Sequence, residues 1–285
     1  MMSTNGTRAA AAALLLSLSA AFASAQAAGL SAESRVDWES RVLRLRVELD
    51  AAAAGLRLPS GRLEAERLIE REFAGLAKEA VFGLPVDSYR TVSGTVAEGS
   101  LDVNGLLGIA AQASHGPSSF SRDMRFFSAE YSIPLGAVAA LYAGGTEAVP
   151  LAAPLEHRPS RPYTGIVIYA ESELPVHGER VSASLRPCLF PRIFDEDMRP
   201  VMKRDNVEPA VLAAWGPLGY AAGLLASAED RVGDDPLRIR ALGVFGAART
   251  DIVISREDAA RILSRPENRD LLRLGRVLVV LDLGR

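Results

Sequence analysis

Two stretches of the chain carry the hydrophobic pattern of β-strands. Between residues 39 and 50, apolar and charged side chains alternate with a period of two, which predicts a strand whose sheet is exposed to water on one face. The apolar positions are Leu43, Leu45, Val47 and Leu49, and the charged positions are Arg44, Arg46, Glu48 and Asp50. Residues 163–170 instead contain Ile166, Val167 and Ile168 without a polar interruption, as in a strand covered on both faces. We predict this stretch to be the central strand of a C-terminal domain.

A long amphipathic helix is predicted between these two strands. Its apolar residues recur at spacings of three and four, and Ser60, which follows Pro59, is predicted as its N-cap. The apolar residues are Leu63, Leu68, Ile69, Phe73, Leu76, Ala77 and Ala80. Charges between such stripes usually form a solvated face, so we favour that interpretation over a metal or cofactor role for Glu66, Glu70 and Glu72.

Weaker patterns and turn signals predict the remaining elements. They are a helix at 101–113, a break at 115–119, a strand at 120–135, a short helix at 137–143, a hairpin within 186–202, a helix at 220–229, a strand at 237–245 and an extended piece at 252–254. Ser255, with Asp258 three positions later, predicts the start of a helix at 256–263 through a variant of the capping box. A short helix from Pro266 and a buried strand at 276–282 complete the chain, and a crossover can bring this last strand beside an earlier one.

These elements predict an α+β fold in which amphipathic helices pack on mixed sheets in two closely associated parts. The chain is long enough for one large or two ordinary domains. Four prolines and two glycines between residues 144 and 162 mark a candidate boundary. We therefore predict an N-terminal α+β domain at 26–143, a linker at 144–162 and a C-terminal α/β domain at 163–285.

The first 25 residues have the layout of a secretory signal peptide. Arg8 precedes an apolar run, and small residues precede the cleavage position predicted after Ala25. An uncleaved anchor is the alternative, although the run is short for a membrane span. Gln26 follows in place of the cysteine that a lipid anchor requires, so a lipoprotein signal is excluded. These features predict a periplasmic protein.

Composition narrows the classes of function. The formal net charge of −3 lacks the basic excess of a nucleic-acid-binding protein, and the mature chain has no second apolar run that is long enough to cross a bilayer. The only cysteine, Cys188, excludes an intramolecular disulfide. Because it lies between Pro187 and Leu189, we predict a buried small hydrophobe rather than a nucleophile.

Motifs for phosphate, dinucleotide, hydrolase and zinc chemistry are missing from the sequence. The histidines His115, His157 and His177 are far apart, and none has a second ligand at helical spacing. We predict no catalytic residue, metal or cofactor on this basis.

Three residues are nevertheless the first candidates for a ligand site. His177 lies in a loop just past the predicted central strand, where functional residues are common, although a histidine that satisfies turn carbonyls is the favoured interpretation. Asp195 and Asp197 flank Glu196 in an acidic run similar to the start of a calcium loop. Pro200 stands where an EF-hand has its glycine, so a solvated acidic turn is the favoured interpretation.

Several motifs of the C-terminal half resemble those of LPP20-like bacterial envelope proteins. The matching segments are Tyr163-Thr164-Gly165, 187–197, 231–237, 250–255 and 276–282. The segments 58–62 and 85–88 of the N-terminal half resemble spirochaete-type exported proteins. The chain departs from the LPP20 pattern in lacking the lipid-bearing cysteine and in carrying an extra stretch at 171–185.

The resemblance implies an exported, non-catalytic envelope protein with a structural or scaffolding role, whose partners would be envelope or flagellar proteins. The alternative is a periplasmic enzyme or small-ligand-binding protein with a site around His177. An enzyme would place His177 beside an acid or nucleophile in a deep pocket, whereas a scaffold would expose an apolar patch or a sheet edge. The sequence leaves the oligomeric state open.

Overall fold

The protein is an α+β molecule, as predicted, and its computed structural model describes residues 29–109, 112–144, 147–154, 159–223 and 229–283. The chain forms two compact units. The first unit includes 29–37, Val42–Gly83 and Ser93–Pro134, and the second includes Trp38–Arg41, Leu84–Val92 and the described residues from Leu135 onward. The predicted cleavage after Ala25 lies outside the described residues. The signal peptide therefore stays a prediction. The linker at 144–162 also stays a prediction, and residues 145–146 and 155–158 of it lie outside the described residues.

The first unit contains one antiparallel sheet with the strand order β1-β2-β4-β3. Its strands are β1 (Leu30–Asp37), β2 (Val42–Asp50), β3 (Ser114–Phe120) and β4 (Phe126–Pro134). The alternation predicted for β2 is confirmed, because Leu43, Leu45, Val47 and Leu49 are all buried while Arg44 and Arg46 are exposed.

Three helices accompany this sheet: α1 (Arg62–Phe82), α2 (Val92–Ala97) and α3 (Val103–Leu107). Helix α1 buries Ile69 and Phe73, and the Phe73 ring stacks on Tyr131 of β4 at a centroid distance of 4.0 Å. The prediction of Ser60 as its N-cap is wrong. The N-cap is Gly61, which has no capping side chain, and the Ser60 hydroxyl donates instead to the carbonyl of Arg57 at 3.0 Å.

Two further predictions for this unit are wrong. The predicted helix at 101–113 is much shorter, and the predicted break at 115–119 is strand β3. This strand lies at the sheet edge and has an irregular register between His115 and Ser118. Gly116 and Pro117 are tolerated there because an edge strand with a bulge does not need every backbone N–H group in its ladder.

The second unit is built around a parallel sheet with the order β10-β14-β5-β11. The strands are β5 (Ile166–Ala170), β10 (Gly219–Ala221), β11 (Leu237–Arg240) and β14 (Val277–Leu281). β5 is central, as predicted, and all five residues of β14 are buried beside it, which confirms the predicted crossover. The predicted helix at 220–229 is wrong at its start, where the chain forms β10. Residues 224–228 lie outside the described residues.

A second sheet of this unit has the order β12-β13-β8-β9. Its strands are β8 (Ile193–Phe194), β9 (Pro200–Met202), β12 (Gly243–Phe245) and β13 (Asp251–Val253), and the separate hairpin β6 (Leu174–Pro175) and β7 (Ser182–Ala183) lies within the extra stretch. The predicted hairpin of β8 and β9 is confirmed. The single strand predicted at 237–245 is wrong, because Ala241 and Leu242 separate β11 from β12 and the two strands join different sheets.

The helices of the second unit are α4 (Leu135–Ala140), α5 (Pro209–Ala214), α6 (Glu229–Val232), α7 (Arg256–Leu263) and α8 (Pro266–Arg273), with a 3₁₀ turn at Arg204–Asn206. Ser255 caps α7 as predicted, since its hydroxyl accepts from the backbone N–H of Asp258 at 3.0 Å. Within the described part of the chain, no helix combines the length and the hydrophobicity that a membrane crossing requires.

Candidate functional site

The first predicted candidate, His177, lies on the exposed hairpin of the second unit. Its backbone N–H donates to the carbonyl of Val244 at 2.9 Å, and its ring stands edge-on to Phe245 at a centroid distance of 6.1 Å. In the described ranges, no carboxylate forms a hydrogen bond with this ring. His177 is therefore exposed beside one aromatic ring and, among the described residues, has no acid partner of the kind a general base needs.

The acidic residues 195–197, which include the other two candidates, form hydrogen bonds within a turn and with the first residue of α7. The carboxylate of Asp195 accepts from the backbone N–H groups of Asp197 at 3.0 Å and Arg199 at 2.8 Å. Glu196 accepts from the backbone N–H of Arg256, the first residue of α7, at 2.9 Å, and Asp197 accepts from the Arg256 guanidinium at 2.7 Å. The structure thus gives Asp195 and Asp197 local structural roles and does not join them to His177 by any hydrogen bond described for these residues.

Cys188 is a buried hydrophobe, as predicted, with 1% of its surface exposed. Burial raises the pKa of its thiol to about 12, so the thiol is neutral at physiological pH. His115 is exposed and stands edge-on to Tyr131, and His157 lies outside the described residues. The described residues contain no group of three or more histidine, cysteine or acidic side chains that could hold a metal ion.

A cavity of about 300 Å³ in the second unit has the features of a binding site instead. Three separate segments line it: the loop before α2, the segment that leads into β8 and the 3₁₀ turn. We call it the arginine–aromatic groove, and its polar and aromatic lining consists of Asp87, Tyr89, Arg90, Phe190, Arg192, Lys203, Arg204 and Asp205. Sequence reasoning missed this site.

One wall of the groove is formed by a loop that Asp87 organises. Its carboxylate accepts from the backbone N–H groups of Tyr89 at 2.9 Å and Arg90 at 3.0 Å, which is the geometry of an Asx turn. The same carboxylate pairs with the Arg90 guanidinium through Nε at 2.9 Å and Nη2 at 2.6 Å. The turn fixes Arg90 and leaves Tyr89 60% exposed at the groove.

Arg192 also lines the groove, and its guanidinium is hydrogen-bonded to the buried carboxylate of Asp251. Asp251 is fully buried and accepts from the Arg192 guanidinium at 3.1 Å and 2.6 Å and from its backbone N–H at 3.0 Å. Burial disfavours the charged guanidinium, but the Asp251 carboxylate outweighs this effect and raises the pKa of Arg192. The guanidinium also lies over the rings of Tyr89 at 5.6 Å and Phe194 at 5.1 Å, within the range of cation–π attraction.

The segment of the 3₁₀ turn contributes Lys203, Arg204 and Asp205 to the lining of the groove. The Arg204 guanidinium lies over the Phe190 ring at 5.7 Å and pairs with Asp205 at 3.2 Å, while Lys203 is exposed. Asn206 anchors the turn, since its side chain accepts from the backbone N–H of Lys203 and donates to the carbonyl of Val149, both at 3.0 Å. The groove therefore presents three arginines paired with carboxylates, together with an exposed lysine.

The groove combines basic side chains with aromatic rings. Four basic and two acidic side chains line it, and the buried Asp251 behind Arg192 offsets one of the two excess positive charges. Fixed guanidinium groups are suited to planar anions such as carboxylates, and the neighbouring rings offer apolar contact to the same ligand. The lining described here contains no cysteine, serine or histidine that could act as a nucleophile or general base.

Together, the two compact units and this groove define an α+β protein whose second unit has a cavity lined by arginine and aromatic side chains. Two family models match the chain: the N-terminal domain of Treponema pallidum Tp0624 over residues 29–141, and the second domain of the same protein over residues 165–283. The chain thus contains two consecutive Tp0624-type domains, which confirms the resemblance to spirochaete proteins. The comparison with curated proteins gives no match.

Proposed function

We propose that this chain is an exported, periplasmic or envelope-associated protein with a non-catalytic, scaffolding role, and that the arginine–aromatic groove binds an acidic segment of a partner protein. The apolar N-terminal segment with small residues before Gln26 supports export. The LPP20-like motifs of the C-terminal half support the envelope and, as a finer proposal, an association with the flagellum.

The groove is the observation that carries the binding proposal. Its three arginines are held by carboxylate partners, so little conformational entropy is lost when a ligand binds to them. The exposed ring of Tyr89 and the exposed ammonium group of Lys203 lie at the groove and remain available for contact. An acidic segment with an apolar or aromatic side chain matches this combination of charge and ring surface.

The test is a quantitative comparison of partner recovery between matched variants. Tagged mature chains carrying Tyr89→Ala or Lys203→Glu would be crosslinked in envelope extract, and co-purified proteins would be quantified by mass spectrometry. Val181→Ala and Arg180→Glu are the controls, because both residues are exposed on the β6–β7 hairpin outside the groove. We expect both groove variants to lose the same partner at least about tenfold, as for two contacts worth 1–2 kcal/mol each, and the controls to retain it.

Equal recovery by groove and control variants would overturn the proposed binding role of the groove. A partner that is lost only when His177 is replaced by alanine would favour the alternative of a site around His177. Export is tested separately by sequencing the N-terminus of the protein from the periplasmic fraction, where we expect the mature chain to begin at Gln26. A cytoplasmic chain that retains its first 25 residues would refute export.

A further inference from the structure

A second cavity of the second unit, distinct from the groove, contains a buried cation without a hydrogen-bonding partner. The cavity has a volume of about 10 Å³, and Trp38, Arg41, Leu218 and Tyr220 contribute to its lining. Nη1 of Arg41 is buried and has no hydrogen-bond partner. In the described part of the chain, every other buried side-chain nitrogen or oxygen has one. Buried donors are almost always satisfied, so an exception of this kind needs a specific explanation.

The backbone holds the Arg41 side chain in this position. Arg41 adopts a left-handed conformation with φ of 56°, which is uncommon for a residue other than glycine, and its carbonyl accepts from the N–H of Leu135 at 2.9 Å. Gly216 packs against the guanidinium so closely that a Cβ atom there would lie 2.9 Å from Cζ of Arg41. The main chain at Gly216 therefore lies directly against the guanidinium.

A second buried guanidinium adds to the positive charge. Arg231 is 8% exposed, donates to the carbonyls of Gly275 at 2.8 Å and of Trp215, and lies over the Trp215 ring at 4.7 Å. Carbonyls satisfy its donors but leave its charge uncompensated. Among the described residues, neither Arg41 nor Arg231 forms an ion pair with a carboxylate.

The pKa values of the two arginines reflect this arrangement. Burial lowers the pKa of Arg41 to about 10. Burial first, and then the charge of Arg41, lower the pKa of Arg231 to about 9. Both groups remain cationic at neutral pH, so one buried and one partly buried positive charge repel each other.

We propose that the cavity at Arg41 binds one monovalent inorganic anion of halide size, such as chloride. A volume of about 10 Å³ admits one small particle and is too small for sulfate, phosphate or a carboxylate-bearing metabolite. A water molecule would satisfy the Nη1 donor but would leave both charges in place. A small anion satisfies the donor and offsets the charge of the pair, and binding only to the folded state would stabilise it.

The first test is the dependence of thermal stability on chloride at constant ionic strength. The full mature chain would be unfolded by heating in mixtures of sodium chloride and sodium gluconate, since gluconate is too large for the cavity. Above the dissociation constant, we expect Tm to rise by about 3 °C for each tenfold increase in chloride. Arg41→Gln should abolish this rise, and Arg180→Gln, an exposed control on the β6–β7 hairpin, should retain it. Equal Tm values in chloride and gluconate would overturn the proposal.

The second test does not depend on the folding of a variant. Crystals of the wild-type chain grown or soaked in bromide would be measured at the bromine absorption edge. An anomalous peak beside Nη1 of Arg41 is the expected result. A water molecule at that position, or bromide peaks only at surface sites, would refute the inference and identify an adventitious ion only.

Discussion

Tyr220 and Cys188 form the most completely buried titratable pair described in the second unit. The Tyr220 hydroxyl accepts from the backbone N–H of Cys188 at 3.1 Å and donates to its carbonyl at 3.2 Å. Burial, and then the proximity of Cys188, raise the pKa of Tyr220 well above 10, and burial raises the pKa of Cys188 to about 12. Both groups are therefore neutral in the folded protein over the whole physiological range.

This pair predicts a loss of stability at alkaline pH. Because both folded pKa values lie above the ordinary values of 9.0 and 10.0, the unfolded chain releases these protons first. The stabilising contribution is complete below about pH 9 and is lost as pH rises towards 12, with a slope of at most about 1.4 kcal/mol per pH unit for each group. Arg41 and Arg231, whose folded pKa values are lowered to about 10 and 9, act in the opposite direction over this range. The contribution of the pair is therefore measured as a difference in the pH dependence of the free energy of unfolding between the wild type and a variant, by urea unfolding between pH 8 and 10.5.

Tyr220→Phe should make the free energy of unfolding fall less with rising pH than it does in the wild type, because the contribution of Tyr220 is removed while those of Cys188 and the two arginines remain. Tyr89→Phe is the matched control, since Tyr89 is 60% exposed and its replacement should leave the slope unchanged. Identical slopes for the wild type and Tyr220→Phe would contradict the assignment of the pH dependence to this pair.

At the scale of elements, α4 and α5 approach each other closely through a glycine. A Cβ atom at Gly136 would lie 2.3 Å from the carbonyl oxygen of Ala213, a separation that real Cβ atoms do not tolerate. The obstacle is backbone rather than a flexible side chain, so the two helices would have to move apart. Gly136 is thus required by packing, and its φ angle is not positive.

Gly136→Ala should destabilise the second unit although alanine is the better helix former. The helical propensity of alanine would contribute about 1 kcal/mol in its favour. The clash with Ala213 should cost more, for a net loss of about 1–2 kcal/mol in the free energy of unfolding, measured by urea denaturation. Gly144→Ala is the control, because a Cβ atom there meets nothing within 4 Å and its effect should be small. Unchanged or increased stability of Gly136→Ala would show that the helices separate without cost.

At the scale of the whole molecule, the second unit is assembled from distant parts of the chain. Leu84–Val92 belongs to it, and Leu84, Val86 and Ser88 of this segment are at most 2% exposed. The Ser88 hydroxyl donates to the carbonyl of Phe245 at 3.1 Å and bonds the Thr250 hydroxyl at 2.7 Å. The segment therefore contributes both apolar core and buried hydrogen bonds to residues far along the sequence.

A fragment of residues 163–285 should consequently be less stable than the same unit in the full mature chain. It lacks the Leu84–Val92 segment, and three buried residues that are removed together typically cost several kcal/mol, about half the stability of a domain. We expect a lower Tm and binding of a hydrophobic dye by the fragment. A fragment of residues 84–285 should recover part of the loss. A 163–285 fragment that unfolds cooperatively at the Tm of the full chain would contradict this prediction.

The local sequence pattern predicted an element correctly where neighbouring residues alone determine its structure. The alternation of β2, the continuous apolar run of β5, and the Ser255 cap of α7 were each predicted from a few neighbouring residues, and the structure confirms them. The pattern failed at β3, whose glycine and proline indicate a loop unless the strand lies at an edge. The pattern also failed at residues 237–245, which it predicts as one strand but which form two strands in different sheets.

The candidate site was missed for a related reason. His177 attracted attention because a loop after a strand often carries function, yet in the structure it is exposed, with one ring contact to Phe245 and a backbone hydrogen bond to Val244. The residues of the groove come from 86–90, 190–192 and 203–205, and no spacing within the chain relates them. Asp87 and Arg90, three positions apart, are the only local signal that could have indicated part of it.

The sequence by itself determined the α+β class, the central strand and its buried partner, and the burial of Cys188, because hydrophobic periodicity and composition act over short stretches of chain. Only the tertiary structure decided that Asp251 holds Arg192 in a groove and that Nη1 of Arg41 is buried without a hydrogen-bond acceptor. The physical reason is that charge pairing and desolvation depend on which distant groups meet in space, and a linear pattern does not encode that proximity.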